Sequence, residues 1–562
     1  MWKTKRINMT KLTATEEDFK YLGFGGTGVI AKTMTEEIDP KCDPLGPDNK
    51  LIIACTATAG TGLSSAGRIS FGAKSPLTFG IKEANAGGQI GNFLARHGIM
   101  EIIIEGQSSD KMYMIFIDKN GQINFIDAEN YKQWTTYNMV EKIVELYGSN
   151  LGIAVIGPAG ERGYKNSSIQ INQAGQNYPC RAAARGGLGA VMGSRGVKAI
   201  VVEKADIPYK PDFVNPQLVK DMRVFINKEV AKIAPHTPLH SVGTPDGVKK
   251  KADVGALPLK NFSCDLYNGV ENLYSEKYQE IIKERGSTGH PCMTGCIVSC
   301  AGIVNDKKGK LLTAGCEYET IALCGANCGM TNYDDVLRID RLCDEAGIDT
   351  IEFGGSIAVA MEGGHLKWGD GPGAIQIAQD IIEGKGLCDT FGNGCEVTAK
   401  YFNVKRIPVT KHQSMPGYDP RGAAPTGLAF ALGTQGADHT QAPAEGSFYG
   451  KTPEEIFDVY KNIELTFALV DNTMCMMNFI FMGKFLPELA KMYSGCFGGP
   501  DTVDQLFAIA KETLILEKEW NKKAGWTPDD NTLPDFFFEE ISPKTGHSFS
   551  ISKEDLKRLA NI

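Results

Sequence analysis

The sequence predicts an α+β protein: a β-rich N-terminal platform followed by two mainly helical domains. Three observations carry that prediction. Through about residue 205, short β-branched runs bounded by turn residues alternate with glycine-dense stretches. From about 206 the texture changes to longer segments with helical period. Two proline groups, Pro208, Pro211 and Pro216 and then Pro408, Pro416 and Pro420, mark the boundaries, giving expected domains 1–205, 206–410 and 411–562.

In the platform, residues 51–54, 101–105, 152–156 and 199–202 read as strands. The segments 65–72, 84–88 and 185–189 read as loops whose glycines let backbone approach something flat or anionic. The run Gly-Phe-Gly-Gly-Thr-Gly at 23–28 has the Gly-x-Gly-x-x-Gly spacing. A dinucleotide site needs a strand just before that spacing. Residues 16–22 are polar, so a backbone turn is the favoured reading. Helices are expected over 215–233 and 334–343 in the second domain and over 454–467 and 502–522 in the third. The tail from 529 is polar and is expected to wrap the surface.

A chain of 562 residues is long enough for about three domains and a large core. Its net charge of −8 and pI near 5.7 argue against nucleic-acid binding. The N-terminus lacks a signal-peptide pattern and no stretch of about 18 apolar residues occurs, so a cytoplasmic protein without a membrane span is expected. Fifteen cysteines are too sparse for a disulfide scaffold, and odd in number. Clustered cysteines in a reducing compartment point to metal.

One cluster stands out. Cys292, Cys296 and Cys300 lie in His-Pro-Cys-Met-Thr-Gly-Cys-Ile-Val-Ser-Cys, and Cys475 lies far downstream in Val-Asp-Asn-Thr-Met-Cys. Three close thiols and one distant thiol are how a chain wraps a cubane iron–sulfur cluster, which implies electron transfer. Pro291 and Gly295 favour a loop over a helix there. The rival readings are zinc, which usually takes two Cys-x2-Cys pairs, a radical S-adenosylmethionine site, whose spacing is one residue shorter, and unligated core cysteines.

Several longer segments carry a resemblance: 43–52, 67–78, 181–194, Glu-Tyr-Glu-Thr-Ile-Ala at 317–322, Asp-Glu-Ala-Gly-Ile-Asp at 344–349 and Tyr-Asp-Pro-Arg-Gly at 418–422. Over nearly the whole chain these resemble the aldehyde ferredoxin oxidoreductases. The resemblance implies tungsten, or molybdenum, on two pyranopterins, with one 4Fe–4S cluster and magnesium between the pterin phosphates. It makes the first domain the pterin-binding platform. By position, Arg68 resembles the family's phosphate-side arginine, and Asn85, Gly87, Arg181 and Ala182 match further pterin contacts. Asp344, Ile348 and Asp349 fit the first of two Asp-x-x-Gly-Leu-type pterin motifs. The alternative is that both aspartates simply flank a helix end capped at Gly347. Asp471 and Met474 stand in the second motif, which is one residue shorter than the usual Asp-x-x-Gly-Leu-Cys. Cys292, Cys296, Cys300 and Cys475 become the cluster ligands, with Cys496 as the fallback for the fourth.

Glu319, Tyr318 and His439 resemble the family's active-site residues, and Gln441 stands where some members have a lysine. The implied reaction is aldehyde plus water giving carboxylic acid, electrons and protons. Glu319 would be the general base, with His439, assisted by Tyr318, on the substrate oxygen. Electrons would leave to ferredoxin or a small multi-cluster iron–sulfur subunit, and a homodimer fits the same family. The alternatives are aromatic-thioester reduction or an electron-bifurcating role on this scaffold, a non-catalytic electron-transfer subunit and, more weakly, a dinucleotide-dependent dehydrogenase.

Overall fold

The computed structural model describes every residue except 110, 264–266, 445, 447 and 562. Two six-stranded sheets form the platform. The first contains β1 (Lys3–Asn8), β2 (Thr13–Asp18), β3 (Leu51–Cys55), β4 (Ile69–Lys74), β5 (Ile81–Ala86) and β6 (Ile99–Glu105), in the order β2-β1-β6-β3-β4-β5. The second contains β7 (Tyr113–Ile117), β8 (Ile123–Asp127), β9 (Leu151–Val155), β10 (Ile169–Asn172), β11 (Pro179–Ala183) and β12 (Val197–Glu203), in the order β11-β10-β9-β12-β7-β8. Only β1–β6 and β7–β12 run parallel. The four runs read as strands from sequence become β3, β6, β9 and β12, which lie inside the sheets and are almost wholly buried. Burial on both faces explains their unbroken apolar character.

The loop reading of 65–72 and 84–88 needs correction. Most of these residues belong to β4 and β5, which pair from Ile69 with Ala86 to Lys74 with Ile81. Small residues there serve packing: a Cβ at Gly72 would run into the Ile30 side chain of the Gly26–Glu37 helix. The pairing brings Arg68, just before β4, beside Asn85 and Gly87 at the end of β5. Strands β5 and β11, edges of the two sheets, also approach each other. The Gly-x-Gly-x-x-Gly run is structural. A Cβ at Gly25, Gly26 or Gly28 would collide with residues 471–472, so these glycines let the start of the 26–37 helix abut the end of the Pro453–Thr473 helix.

The expected helices form over Pro216–Ile233, Tyr333–Ala346, Pro453–Thr473 and Val503–Ala524. Thr452 and Thr502 each close a capping box, with Glu455 and Gln505, which fixes where the last two begin. A small sheet of β13 (Gly286–His290), β14 (Ala301–Asn305) and β15 (Leu311–Ala314) lies between the helices. The loop between β13 and β14 is the 291–300 cysteine segment, closed where His290 faces Ala301. The tail does more than wrap the surface: Leu533, Phe536, Phe537, Phe549, Ile551, Leu556 and Leu559 are buried in the core built around Tyr318, Ile321 and Phe353. No single helix among the described residues is long and apolar enough to cross a membrane.

Candidate active site

A cavity of about 640 Å³ opens between the platform and the helices. Strand ends supply Arg68, Asn85, Gly87, Arg181 and Ala182 to its wall. The cysteine loop and the turn after residue 473 supply Cys292, Cys300 and Cys475. Asp344, Ile348, Asp349 and Asp471 line it, as do Tyr318, Glu319 and His439. Residues scattered over some four hundred positions therefore meet around one space. Two expected residues do not line it. Met474 is fully buried in the apolar core shared with Leu469 and Met482. Cys296 lies just behind the wall, packed against Cys292 and Cys475.

The cysteine segment is a loop, with Gly295 at φ +84°. A short stretch of the platform fastens it to the distant fourth thiol. Ser64 accepts from Ile297 N (3.1 Å) and Ser65 Oγ reaches Cys296 Sγ (3.3 Å). The Ser65 carbonyl accepts from Cys475 N (3.1 Å), and that of Ser64 from Asn478 Nδ2 (2.9 Å). Gly87 is required by proximity, because a Cβ there would lie 2.8 Å from Cys292 Sγ. Burial pushes the Cys300 and Cys475 thiols up, Cys475 with Arg68 opposing. Hydrogen bonding from Cys292 lowers Cys296. Cys496, the fallback, does not line the cavity and is packed with Tyr493, its thiol pushed up to about 12 by burial. Among the described residues no three His, Cys, Asp or Glu side chains are close enough to hold a single metal ion.

Asp344 and Asp471 face the cavity with no described donor on either carboxylate, and burial pushes both well above the ordinary range. Asp349 is differently engaged. Its carboxylate caps the Thr350–Glu362 helix by accepting from Ile351 N (3.0 Å) and pairs with Arg185 Nε (3.1 Å). Gly347, at φ +71°, does cap the preceding helix, so the capping reading and the lining of the cavity hold together. Arg68 is anchored through Nη2 to the Asn85 carbonyl (3.0 Å) and through Nε to its side chain. Arg181 bonds Glu317 (3.0 Å) through Nη1, while its Nε and Nη2 are buried without a partner.

Glu319 and His439 approach to 3.6 Å, Oε1 to Nε2. Glu319 Oε2 accepts from Gly417 N (2.7 Å), whereas Oε1 is buried without a hydrogen bond. Burial raises the Glu319 carboxyl, with His439 opposing. The His439 ring stacks on Tyr418 at 5.8 Å and 22°. The Tyr318 hydroxyl donates to the Gly417 carbonyl, so Gly417 is gripped from both sides by neighbouring residues 318 and 319. Sequence reasoning missed Gly417, Tyr418 and Arg185. Arg185 is the buried hub here: besides Asp349 it donates to the carbonyls of Ala437 and Ser414, both at 2.6 Å. Its signals in the sequence were its place in a glycine-rich stretch of the platform and in the family-resembling segment 181–194.

The model of the aldehyde ferredoxin oxidoreductase N-terminal domain matches residues 4–204, and that of domains 2 and 3 matches residues 221–560. The chain belongs to the aldehyde ferredoxin oxidoreductase family. As a member of that family it is an oxidoreductase. It is 31% identical to tungsten-containing aldehyde ferredoxin oxidoreductases of Pyrococcus furiosus and Thermococcus kodakarensis, with 99% of this chain and 95% of each relative covered. A P. furiosus aliphatic sulfonate oxidoreductase, WOR-like subunit, is 25% identical over 79% of this chain and 75% of its own. In fold, the chain resembles the active-site complex BamBC of benzoyl coenzyme A reductase solved with 1,5-dienoyl-CoA. That match has a TM-score of 0.79 at 19% identity and covers 99% of this chain and 92% of that one. Against the aldehyde ferredoxin oxidoreductase pattern, the shortened second motif has a simple geometry here. The 453–473 helix ends, Met474 is fully extended, and Cys475 already caps the Met476–Met482 helix.

Proposed function

We propose that this protein oxidises aldehydes to carboxylic acids with tungsten, or molybdenum, held by two pyranopterins, and passes the electrons through one 4Fe–4S cluster to ferredoxin or an iron–sulfur subunit. The observation that carries the reading is the Glu319–His439 pair, 3.6 Å apart, in the same cavity as Cys292, Cys300 and Cys475.

The residues present fit such a cofactor. The unengaged carboxylates of Asp344 and Asp471 suit the amino and ring N–H groups of two pterins. Arg68, and the unpartnered Nε and Nη2 of Arg181, would suit pterin phosphate, with magnesium as a counter-ion to it. Gly87 leaves room for a cluster beside Cys292. When bound, the metal supplies a two-electron acceptor, and the cluster supplies the one-electron exit.

The chain's own residues handle substrate and protons. Gly417 N–H fixes Glu319 Oε2 and leaves Oε1 free to take a proton from attacking water. His439, oriented by its stack on Tyr418, donates from Nε2 to the substrate oxygen as charge develops. Tyr318 keeps Gly417, and so Glu319, in position; its own proton is committed to the Gly417 carbonyl.

The test is a panel of aliphatic and aromatic aldehydes with a viologen acceptor, beside an aromatic coenzyme A thioester. Aldehyde-dependent reduction of the dye is expected. Activity with the thioester and none with any aldehyde would overturn the reading.

A further inference from the structure

A second, smaller cavity adjoins the active site. It encloses about 20 Å³, room for one ordered water, and shares Glu83, Asp438 and Asp471 with the larger cavity. Glu517 and Glu464 also line it. One of its lining atoms is an orphan: Glu83 Oε1 has no hydrogen-bond partner, although Glu83 is only 8% exposed. Buried polar atoms are normally satisfied, so an acceptor left bare beside a water-sized space points to a water held there. Glu517 is locked in place by the hydroxyls of Thr27 (2.6 Å) and Thr434. Glu464 is partly exposed and takes the Tyr460 hydroxyl at 2.5 Å.

We propose that this cavity is a proton exit: Glu83 collects protons at the active-site wall, the enclosed water relays them to Glu517, and Glu464 releases them to solvent. The inference rests on the aldehyde-oxidation reading, which liberates protons as it delivers electrons. Each transfer breaks one O–H bond and forms another. The next proton from the active site restores the donor, and no electrons move along the route.

The charges around the route suit this role. Burial raises Glu83 and Glu464 to about 7 and moves Glu517 and Asp471 in the same direction. Glu83 and Glu464 therefore exchange protons near neutral pH instead of remaining ionised. Asp438 is different: against burial, Lys82 (2.6 Å), Arg185 and His439 hold it well below the ordinary range, so it stays an anion. Arg68 faces Asp471, Lys82 faces Glu83 and Glu517, and Lys518 and Lys411 face Glu464.

The test uses the holoenzyme with Glu517→Gln and Glu464→Gln. Glutamine keeps one oxygen, which serves the Tyr460 hydroxyl at 464 and one of the two threonine hydroxyls at 517, but cannot carry the proton onward. For each variant the expected result is a kcat lower by roughly tenfold or more, a larger solvent deuterium isotope effect, and unchanged KM and metal content. Infrared titration of the protein across neutral pH gives a readout independent of turnover: a protonated-carboxyl band present in wild type and diminished in both variants. Wild-type kcat and isotope effect in both variants, in an enzyme that does oxidise aldehydes, would overturn the relay. So would an unchanged infrared titration, whether or not aldehydes are substrates, or a divalent cation found tightly bound in wild type and absent from Glu517→Gln. A wild-type protein inert to every aldehyde, yet with the expected infrared titration, would count against the aldehyde reading and leave the carboxyl assignment standing.

Discussion

Glu319 is asymmetric: one oxygen is tied to Gly417 N–H and the other is buried and bare beside His439. A base of that kind must be ionised to work, and burial raises its carboxyl. Turnover should therefore fall as pH drops through a value above the ordinary carboxylate range, which a kcat/KM profile would reveal as a displaced acid limb. Glu319→Gln should lower kcat by about a hundredfold or more at every pH while leaving metal content unchanged. Near-normal turnover in that variant would remove Glu319 from the mechanism. Little of this pairing was legible from spacing, since residues 319 and 439 lie 120 positions apart. Resemblance singled out both residues, but the grip of Tyr318 and Glu319 on Gly417 depends on a backbone turn that no side-chain pattern announces.

Elements explain how distant thiols converge. The cysteine loop is pinned at its base by β13 and β14 and along its length by Ser64 and Ser65, which also hold Cys475. Cys475→Ser should thus lower the iron content and change the cluster's electron paramagnetic resonance signal. Cys496→Ser should leave both intact, because Cys496 is absent from the group of Cys292, Met293 and Cys475 and from the cavity lining. Loss of the cluster signal in Cys496→Ser alone would reverse the assignment. At this scale the long buried strands and the helices were readable, because continuous apolar runs and helical periodicity are local signals. Strands β4 and β5 were not. Their small residues answer to neighbours such as Ile30, which only the tertiary structure supplies. The tail was misread for a similar reason: its few aromatics are diluted among polar residues but are all directed into one core.

Across the whole molecule, buried carboxylates set a pH dependence of stability. Glu101 on β6 lies between the hydroxyls of Thr4 (2.9 Å) and Thr33 (2.5 Å), away from the cavity, and burial raises it to about 7. An unfolded glutamate titrates near 4.3. Between those values the folded state holds a proton that the unfolded state has lost, so stability falls as pH rises, and the full penalty is present above about 7. Glu101→Gln should therefore match wild type near pH 4 and exceed it near pH 8 by at most about 4 kcal/mol, read as a growing difference in thermal midpoint. A pH-independent difference would contradict the assignment. The same economy of burial places acid groups, arginines and thiols around one large cavity where three packed cores meet. The measurement that bears most directly on that cavity is elemental analysis of anaerobically purified protein for tungsten, molybdenum, iron and zinc. About one tungsten or molybdenum and about four iron per chain are predicted; zinc alone, or iron with neither heavier metal nor pterin, would contradict the account.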